Sequence, residues 1–117
     1  METAMESLAE FKQGKAGLNA AMPEVMKHLD GLFQVSQADG ALSAKVKVLI
    51  GLAIGLVTHC EACILVHMEK ALAAGASRAE ILEACGVAIA MGGGPTMADV
   101  PLVLKYLAER TRPETRP

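Results

Sequence analysis

Aromatic side chains are scarce in this sequence, which holds two Phe, one Tyr and no Trp, or 3% of its 117 residues. The hydrophobic fraction of 52% therefore consists mainly of Ala, Leu, Val, Ile and Met. Such residues favour packed helices over a β-sandwich, and no segment carries a clear strand pattern. We predict an all-α fold, a compact bundle of about six helices that forms one domain over residues 1–117.

A charge excess and a long apolar run are also missing. The net charge of −2 gives no electrostatic signal for nucleic acid. The longest apolar run, residues 48–57, is about half as long as a membrane-spanning helix. The acidic first residues do not resemble a signal peptide. We therefore expect a cytoplasmic protein with no nucleic-acid and no membrane partner.

Only three cysteines are present, which is too few for a structural disulfide framework in a cytoplasmic chain. Two of them, Cys60 and Cys63, form a Cys-x-x-Cys pair, and His67 follows Cys63 by one helical turn. If the helix begins near Glu61, Cys60 lies at its first turn, where unpaired N–H groups favour a thiolate. The stretch predicts a reactive dithiol with a proton carrier beside it.

The same residues allow other interpretations. Cys60 and Cys63 could be small buried core residues, and His67 a packed, hydrogen-bonded histidine. A zinc site would also need His59, but adjacent His59 and Cys60 rarely both reach one tetrahedral ion, so we expect no metal and no cofactor. We interpret His59 as a polar residue at a helix junction and Cys85 as part of the core.

Apolar periodicity and capping signals divide the chain into segments. The third predicted helix is apolar on every side, so we expect both its own chain and a partner chain to bury it. Gly51 and Gly55 on this helix make a smooth face for close packing. The predicted segments are an N-terminal helix or arm within residues 1–22, helices over 23–39, 43–58, 61–75, 77–92 and 96–110, and a loose tail over 111–117.

Three segments together resemble the carboxymuconolactone decarboxylase-like family, and within it the branch related to the alkyl hydroperoxidase AhpD. They are residues 45–67, 75–81 and 87–95, and the resemblance spans about residues 23–110. It implies a compact all-helical subunit that assembles into trimers or hexamers. It also implies that Cys63 attacks a peroxide, Cys60 resolves the product into a disulfide, and His67 belongs to a proton relay.

Two positions depart from the peroxidase pattern that the resemblance implies. The relay glutamate expected twelve residues before Cys60 is Val48, and the histidine expected directly before the second cysteine is Ala62. The sequence therefore keeps His67 as the inner member of the relay and loses the outer carboxylate. The glutamates that could replace it in space are Glu61, Glu69 and Glu83.

We expect a thiol-dependent peroxidase or disulfide redox protein, of the alkyl hydroperoxide reductase type, that cycles a Cys60–Cys63 disulfide with His67 moving the proton. Its partners would be a peroxide, a dithiol reductant protein or small thiol, and further copies of this chain. One alternative is an enzyme like the carboxymuconolactone decarboxylases, which does not need the cysteines. Another is a non-enzymatic, redox-sensing oligomeric scaffold.

Overall fold

The computed structural model describes residues 2–110, which form six longer helices and one helix of a single turn. No residue in this range belongs to a strand, and the all-α prediction is confirmed. The tail over 111–117, predicted to be loose, lies outside the described residues. In chain order the helices are α1 (Ala4–Ala21), α2 (Pro23–Gln37), α3 (Ala44–Val57), α4 (Glu61–Ala73), α5 (Arg78–Gly92), α6 (Gly94–Met97) and α7 (Val100–Arg110).

Capping residues set several of these boundaries. The hydroxyl of Ser43 accepts a hydrogen bond from the N–H of Val46 at the start of α3. Ser77 and Glu80 form a capping box at the start of α5, in which each side chain accepts a hydrogen bond from the other residue's N–H. Gly75 follows α4 with a φ of 82°, which glycine adopts without steric cost. Both caps lie at the first residues of the ranges predicted from the sequence, 43–58 and 77–92, so these two helix starts are confirmed.

The last predicted helix, from near Thr96 to Arg110, is two elements instead of one. The single turn α6 begins directly after Gly93, and two residues separate its end from the start of α7. Pro101 explains the interruption, because a proline has no N–H to donate within a continuous helix. In the first turn of α7 that N–H is not needed. The interruption places Asp99 in the short connection between α6 and α7.

The central helix is α3, which packs against α4 and α5 and also contacts α2 and α6. Burial of each large aliphatic side chain contributes about 1.5–3 kcal/mol to stability. Its outer face, with Ile50 and Ile54, is exposed, so its own chain buries only part of this helix. The fully buried core side chains include Leu52, Leu56, Ile64, Leu65, Met68, Ile81, Val103 and Tyr106.

The N-terminal segment forms helix α1, which packs on α4 and α7 of the same chain. The carboxylate of Glu109 accepts hydrogen bonds from the N–H groups of Ala4 and Met5, at 2.7 and 2.9 Å. A carboxylate at a helix N-terminus satisfies unpaired donors and complements the helix dipole. Ala4 and Leu8 are buried in the core, so α1 is part of the packed bundle.

Helix α2 contacts α1 and α3 but has only one buried side chain, Met26. Its apolar face otherwise lies open on the surface of the single chain. The exposed apolar residues of α2 are Val25, Leu29, Leu32, Phe33 and Val35. Among residues 2–110, no helix combines the length and hydropathy needed to cross a bilayer.

Candidate redox site

The turn between α3 and α4 positions the cysteine pair. The N–H of His59 donates to the carbonyl of Leu56 at 3.2 Å, and the N–H of Cys60 donates to that of Gly55 at 3.0 Å. His59 adopts the left-handed conformation, with a φ of 57°. This is the Schellman arrangement, which closes one helix with a tight reversal. The reversal places Cys60 as the N-cap residue of α4.

Cys60 and Cys63 are joined in a disulfide, with their Cα atoms 5.2 Å apart. The Sγ atom of Cys60 also accepts a hydrogen bond from the N–H of Cys63 at 3.2 Å. The sulfur of Cys60 therefore lies at the positive end of α4, which favours a thiolate once the disulfide is reduced. Among the residues that the structure describes, no three His, Cys, Asp or Glu side chains are grouped as metal ligands.

His67 lies one turn along α4 and is half-buried against α3. Its Nδ1 atom donates to the carbonyl of Cys63 at 2.8 Å, which leaves Nε2 as the nitrogen that can accept a proton. Burial lowers the pKa of His67, although the hydrogen bond to Cys63 acts in the opposite direction, and the ammonium of Lys70 lowers it further. The imidazole is therefore mainly neutral at pH 7 and can act as a base.

Two glycines of α3 allow this close packing. A Cβ atom at Gly51 would collide with Nε2 and Cδ2 of His67, and one at Gly55 would lie 3.1 Å from the Cβ of Cys63. The smooth packing face predicted at Gly51 and Gly55 therefore lies against the cysteine and histidine of the site, a connection that was not predicted. The sequence did contain a signal for this packing, because Gly51 and Gly55 are four residues apart on α3, as Cys63 and His67 are on α4.

Among the described residues, no carboxylate hydrogen-bonds to His67 in place of the missing relay glutamate. Val48 is 5% exposed and belongs to the core. Glu69 is paired with Lys12 at 2.7 Å. The hydrogen bond of the His67 side chain goes to a backbone carbonyl, and none goes to the alternatives Glu61, Glu69 or Glu83.

His59 makes a contact that the sequence did not predict. Its Nδ1 atom lies 2.6 Å from Oδ2 of Asp99, with the two side chains 51% and 34% exposed. The junction position of His59 agrees with its interpretation as a polar residue between helices. Asp99 was not identified, because a residue forty positions away in the chain carries no local signal.

The third cysteine, Cys85, is buried in the core and is free. Burial raises the pKa of its thiol, with a smaller opposing effect of a backbone hydrogen bond. A buried thiol of raised pKa is a poor nucleophile. The interpretation of Cys85 as a core residue is confirmed.

An apolar groove of about 250 Å³ lies between α3 and α5, beside the turn that carries the cysteines. Thr58, two residues before Cys60, is part of its wall. The groove is open to the surface, and several of its side chains are among the exposed apolar residues of the chain. Its lining residues are Ala53, Ile54, Val57, Thr58, Val87, Ala88 and Met91.

Comparison with known proteins assigns this chain to a family. The family model described as the carboxymuconolactone decarboxylase family matches residues 23–105. An uncharacterized protein of Cupriavidus necator is 35% identical over 88 residues, covering 75% of this chain and 78% of that protein. Uncharacterized protein 4 in the cox locus of Paracoccus denitrificans is 34% identical over 109 residues, covering 93% of this chain and 92% of that protein.

Solved structures with the same fold include two with substantial sequence identity. The apo form of a carboxymuconolactone decarboxylase family protein from Legionella pneumophila has a TM-score of 0.88 and 31% identity, over 93% of this chain and 97% of that one. A Thermotoga maritima protein of the same family has a TM-score of 0.70 and 30% identity, over 76% of this chain and 92% of that one. The latter is described as having possible involvement in an antioxidative response.

Proposed function

This chain belongs to the carboxymuconolactone decarboxylase family, and we propose that it is a thiol-dependent peroxidase that cycles a disulfide between Cys60 and Cys63. The observation that carries the proposal is the disulfide at the N-terminus of α4, one turn from a half-buried histidine. The description of the Thermotoga maritima relative supports an antioxidative role. The resemblance to the AhpD branch supplies the assignment of the two cysteines.

Cys63 is the proposed attacking residue. Its thiolate attacks one oxygen of the peroxide, the O–O bond breaks, and Cys63 becomes a sulfenic acid. The second oxygen leaves as an alcohol, or as water from hydrogen peroxide, after it takes a proton. The sulfur loses two electrons and the peroxide gains them.

Cys60 is the proposed resolving residue. Its thiolate attacks the sulfur of the Cys63 sulfenic acid, the S–O bond breaks, and the oxygen leaves as water after protonation. The disulfide that forms is the state described above. A dithiol protein or two small thiols then supply two electrons and two protons by thiol–disulfide exchange, which restores both cysteines. Such reductants are available in a reducing compartment, in agreement with the expected cytoplasmic location.

His67 is the proposed proton carrier. Its Nδ1–H is held by the Cys63 carbonyl, so Nε2, which lies against Gly51 of α3, is the nitrogen proposed to take the proton of the Cys63 thiol and return it to the leaving oxygen. Its lowered pKa supports this role, because a mainly neutral imidazole at pH 7 is ready to accept a proton. Within residues 2–110 no carboxylate hydrogen-bonds to the ring, so we expect slower turnover than a complete relay would give.

Peroxide consumption in the presence of a dithiol reductant tests the proposal. Cys63→Ser should abolish consumption, and Cys60→Ser should abolish turnover while leaving a sulfenic acid that a specific reagent can trap. Cys85→Ser is the matched control, since this buried thiol lies outside the cycle. Equal consumption by wild type and Cys63→Ser would contradict the proposal. Lactone or decarboxylase chemistry that survives in both variants would instead support the alternative that the family name suggests.

A homo-oligomer, a trimer or a hexamer, is the proposed state of assembly. The apolar surfaces of α2 and of the groove between α3 and α5 are exposed in the single chain. Contiguous apolar patches of this kind are typical of protein–protein interfaces. The family resemblance supports the same expectation.

A further inference from the structure

Helices α3 and α4 end in the same Schellman motif, but a different type of residue adopts the left-handed conformation in each. After α4, the N–H of Gly75 donates to the carbonyl of Leu72, and the N–H of Ala76 donates to the carbonyl of Ala71. The turn that follows α3 has the same pair of hydrogen bonds. The left-handed residue is Gly75 in one turn and His59 in the other, with φ values of 82° and 57°. A side chain at this position raises the backbone energy, and glycine avoids that cost. A compensating contact of the imidazole would explain why histidine is present.

Asp99 provides that contact from a firmly held part of the chain. Its carboxylate lies 2.6 Å from Nδ1 of His59. On one side of it, α6 is anchored by Thr96, which is buried and packs directly against Gly92. On the other side, α7 places three side chains in the core, namely Val103, Tyr106 and Leu107. The His59–Asp99 contact therefore ties the turn that carries Cys60 to the junction between α6 and α7.

We propose that the His59–Asp99 pair is a clamp that holds Cys60 in position for Cys63 and so favours the disulfide over the dithiol. A disulfide forms readily only within a narrow range of Cα separations, about 4.4–6.8 Å. The clamp limits the motion of the turn in the reduced protein, where no S–S bond does so, and keeps one thiol near the other. His59 and Asp99 are positioning residues in this account. This proposal rests on the proposed function in one respect only: both require that Cys60 and Cys63 cycle between disulfide and dithiol.

The equilibrium with dithiothreitol tests the clamp without any peroxide. The reductant gives two electrons and two protons to the Cys60–Cys63 disulfide and becomes a cyclic disulfide itself, and alkylation followed by mass measurement gives the reduced fraction. Asp99→Ala removes the contact with His59 and leaves the left-handed residue itself unchanged. We expect its equilibrium to shift toward the dithiol by about threefold to tenfold, which corresponds to roughly 15–30 mV for two electrons.

Variants at His59 separate the side-chain contact from the backbone cost. His59→Gly removes both, so its reduction equilibrium should shift as in Asp99→Ala while its thermal stability is not lowered. His59→Asn tolerates the left-handed conformation and places an amide N–H near the position of Nδ1, so most of the wild-type equilibrium should return. Lys45→Ala is the matched control, because it breaks a polar side-chain contact of similar exposure, the Lys45–Glu80 ion pair, away from the turn.

A reduction equilibrium in Asp99→Ala equal to that of wild type, or shifted toward the disulfide, would overturn the clamp. A shift in the Lys45→Ala control as large as that in Asp99→Ala would overturn it as well. The outcome is independent of peroxidase activity. If peroxide fails to oxidise the pair but Asp99→Ala still shifts the equilibrium, the proposed function is wrong and the clamp stands.

Discussion

Val48 occupies the position where the family resemblance implies a carboxylate, and the structure explains how a carboxylate there could act. Val48 lies one turn before Gly51 on α3, and Gly51 contacts the His67 ring. We expect a longer acidic side chain at this position to reach the helix face that meets α4. The same position is 5% exposed, so a charge there is costly unless the histidine pairs with it.

Val48→Glu should therefore raise the rate of peroxide consumption and lower the free energy of unfolding by a few kcal/mol. The gain follows because a carboxylate would orient His67 and make it a stronger base. Activity assays and urea unfolding of the same preparation measure the two effects. Val48→Gln is the control for size and polarity, and it should lose stability with no gain in rate. A folded Val48→Glu variant with unchanged or lower activity would contradict this relay geometry.

His67 also makes stability depend on pH. Its folded-state pKa is below the ordinary value of 6.5, because burial disfavours the imidazolium. The unfolded chain therefore binds a proton at higher pH than the folded chain does. The free energy of unfolding should fall as the pH drops through 6.5 toward the folded pKa, and this contribution should be fully present above 6.5.

Urea unfolding at about pH 7.5 and pH 5.5 measures this dependence. His67→Gln should lose the part of the dependence that comes from the imidazole, whereas His28→Gln on exposed α2 serves as the control and should keep it. An identical pH dependence in wild type and His67→Gln would show that burial does not hold this histidine in its neutral form.

At the scale of helices, the close approach of α3 and α4 depends on small residues. Gly51→Ala should force the His67 ring away from α3, because the new Cβ would overlap Nε2 and Cδ2. We expect peroxide consumption to fall by about tenfold to a hundredfold, the range that misplaced catalytic groups produce. The protein should remain folded, since the imidazole can move toward the surface.

Gly31→Ala is the matched control for this prediction. Gly31 lies within α2, and nothing is within 4 Å of the position that its Cβ would take. The substitution should keep full activity and raise the free energy of unfolding by about 0.5–1 kcal/mol, the usual difference between alanine and glycine in a helix. Circular dichroism and activity assays compare the two variants. Full activity in Gly51→Ala would contradict the assigned packing of His67.

The helices were predictable because their signals are local. Ser43 and Ser77 mark helix starts through hydrogen bonds that span three residues, and Gly75 marks an end through its own φ. The division of the last helix at Pro101 was harder, because the sequence equally allowed a kink. The His59–Asp99 pair could not be predicted, since it depends on how α6 and α7 pack against the turn.

At the scale of the whole molecule, the exposed apolar surface supports assembly. We expect a sedimentation mass well above that of one subunit at micromolar concentration, because a partner would bury the outer face of α3 and the groove beside it. Ile54→Glu should shift the mass toward the monomer. Ala79→Glu, which adds the same charge at an exposed position of α5 that does not line the groove, should leave the mass unchanged. A wild-type mass of one subunit would contradict this prediction.

Reaction of the reduced protein with one equivalent of hydrogen peroxide, followed by a thiol count and a peptide map, tests the central claim most directly. Three thiols are present before reaction. The account predicts that two are lost rapidly, that a Cys60–Cys63 linked peptide appears, and that Cys85 stays free. If Cys60 and Cys63 both remain free over many minutes, the peroxidase cycle is contradicted, and the fold serves binding, assembly or a different chemistry.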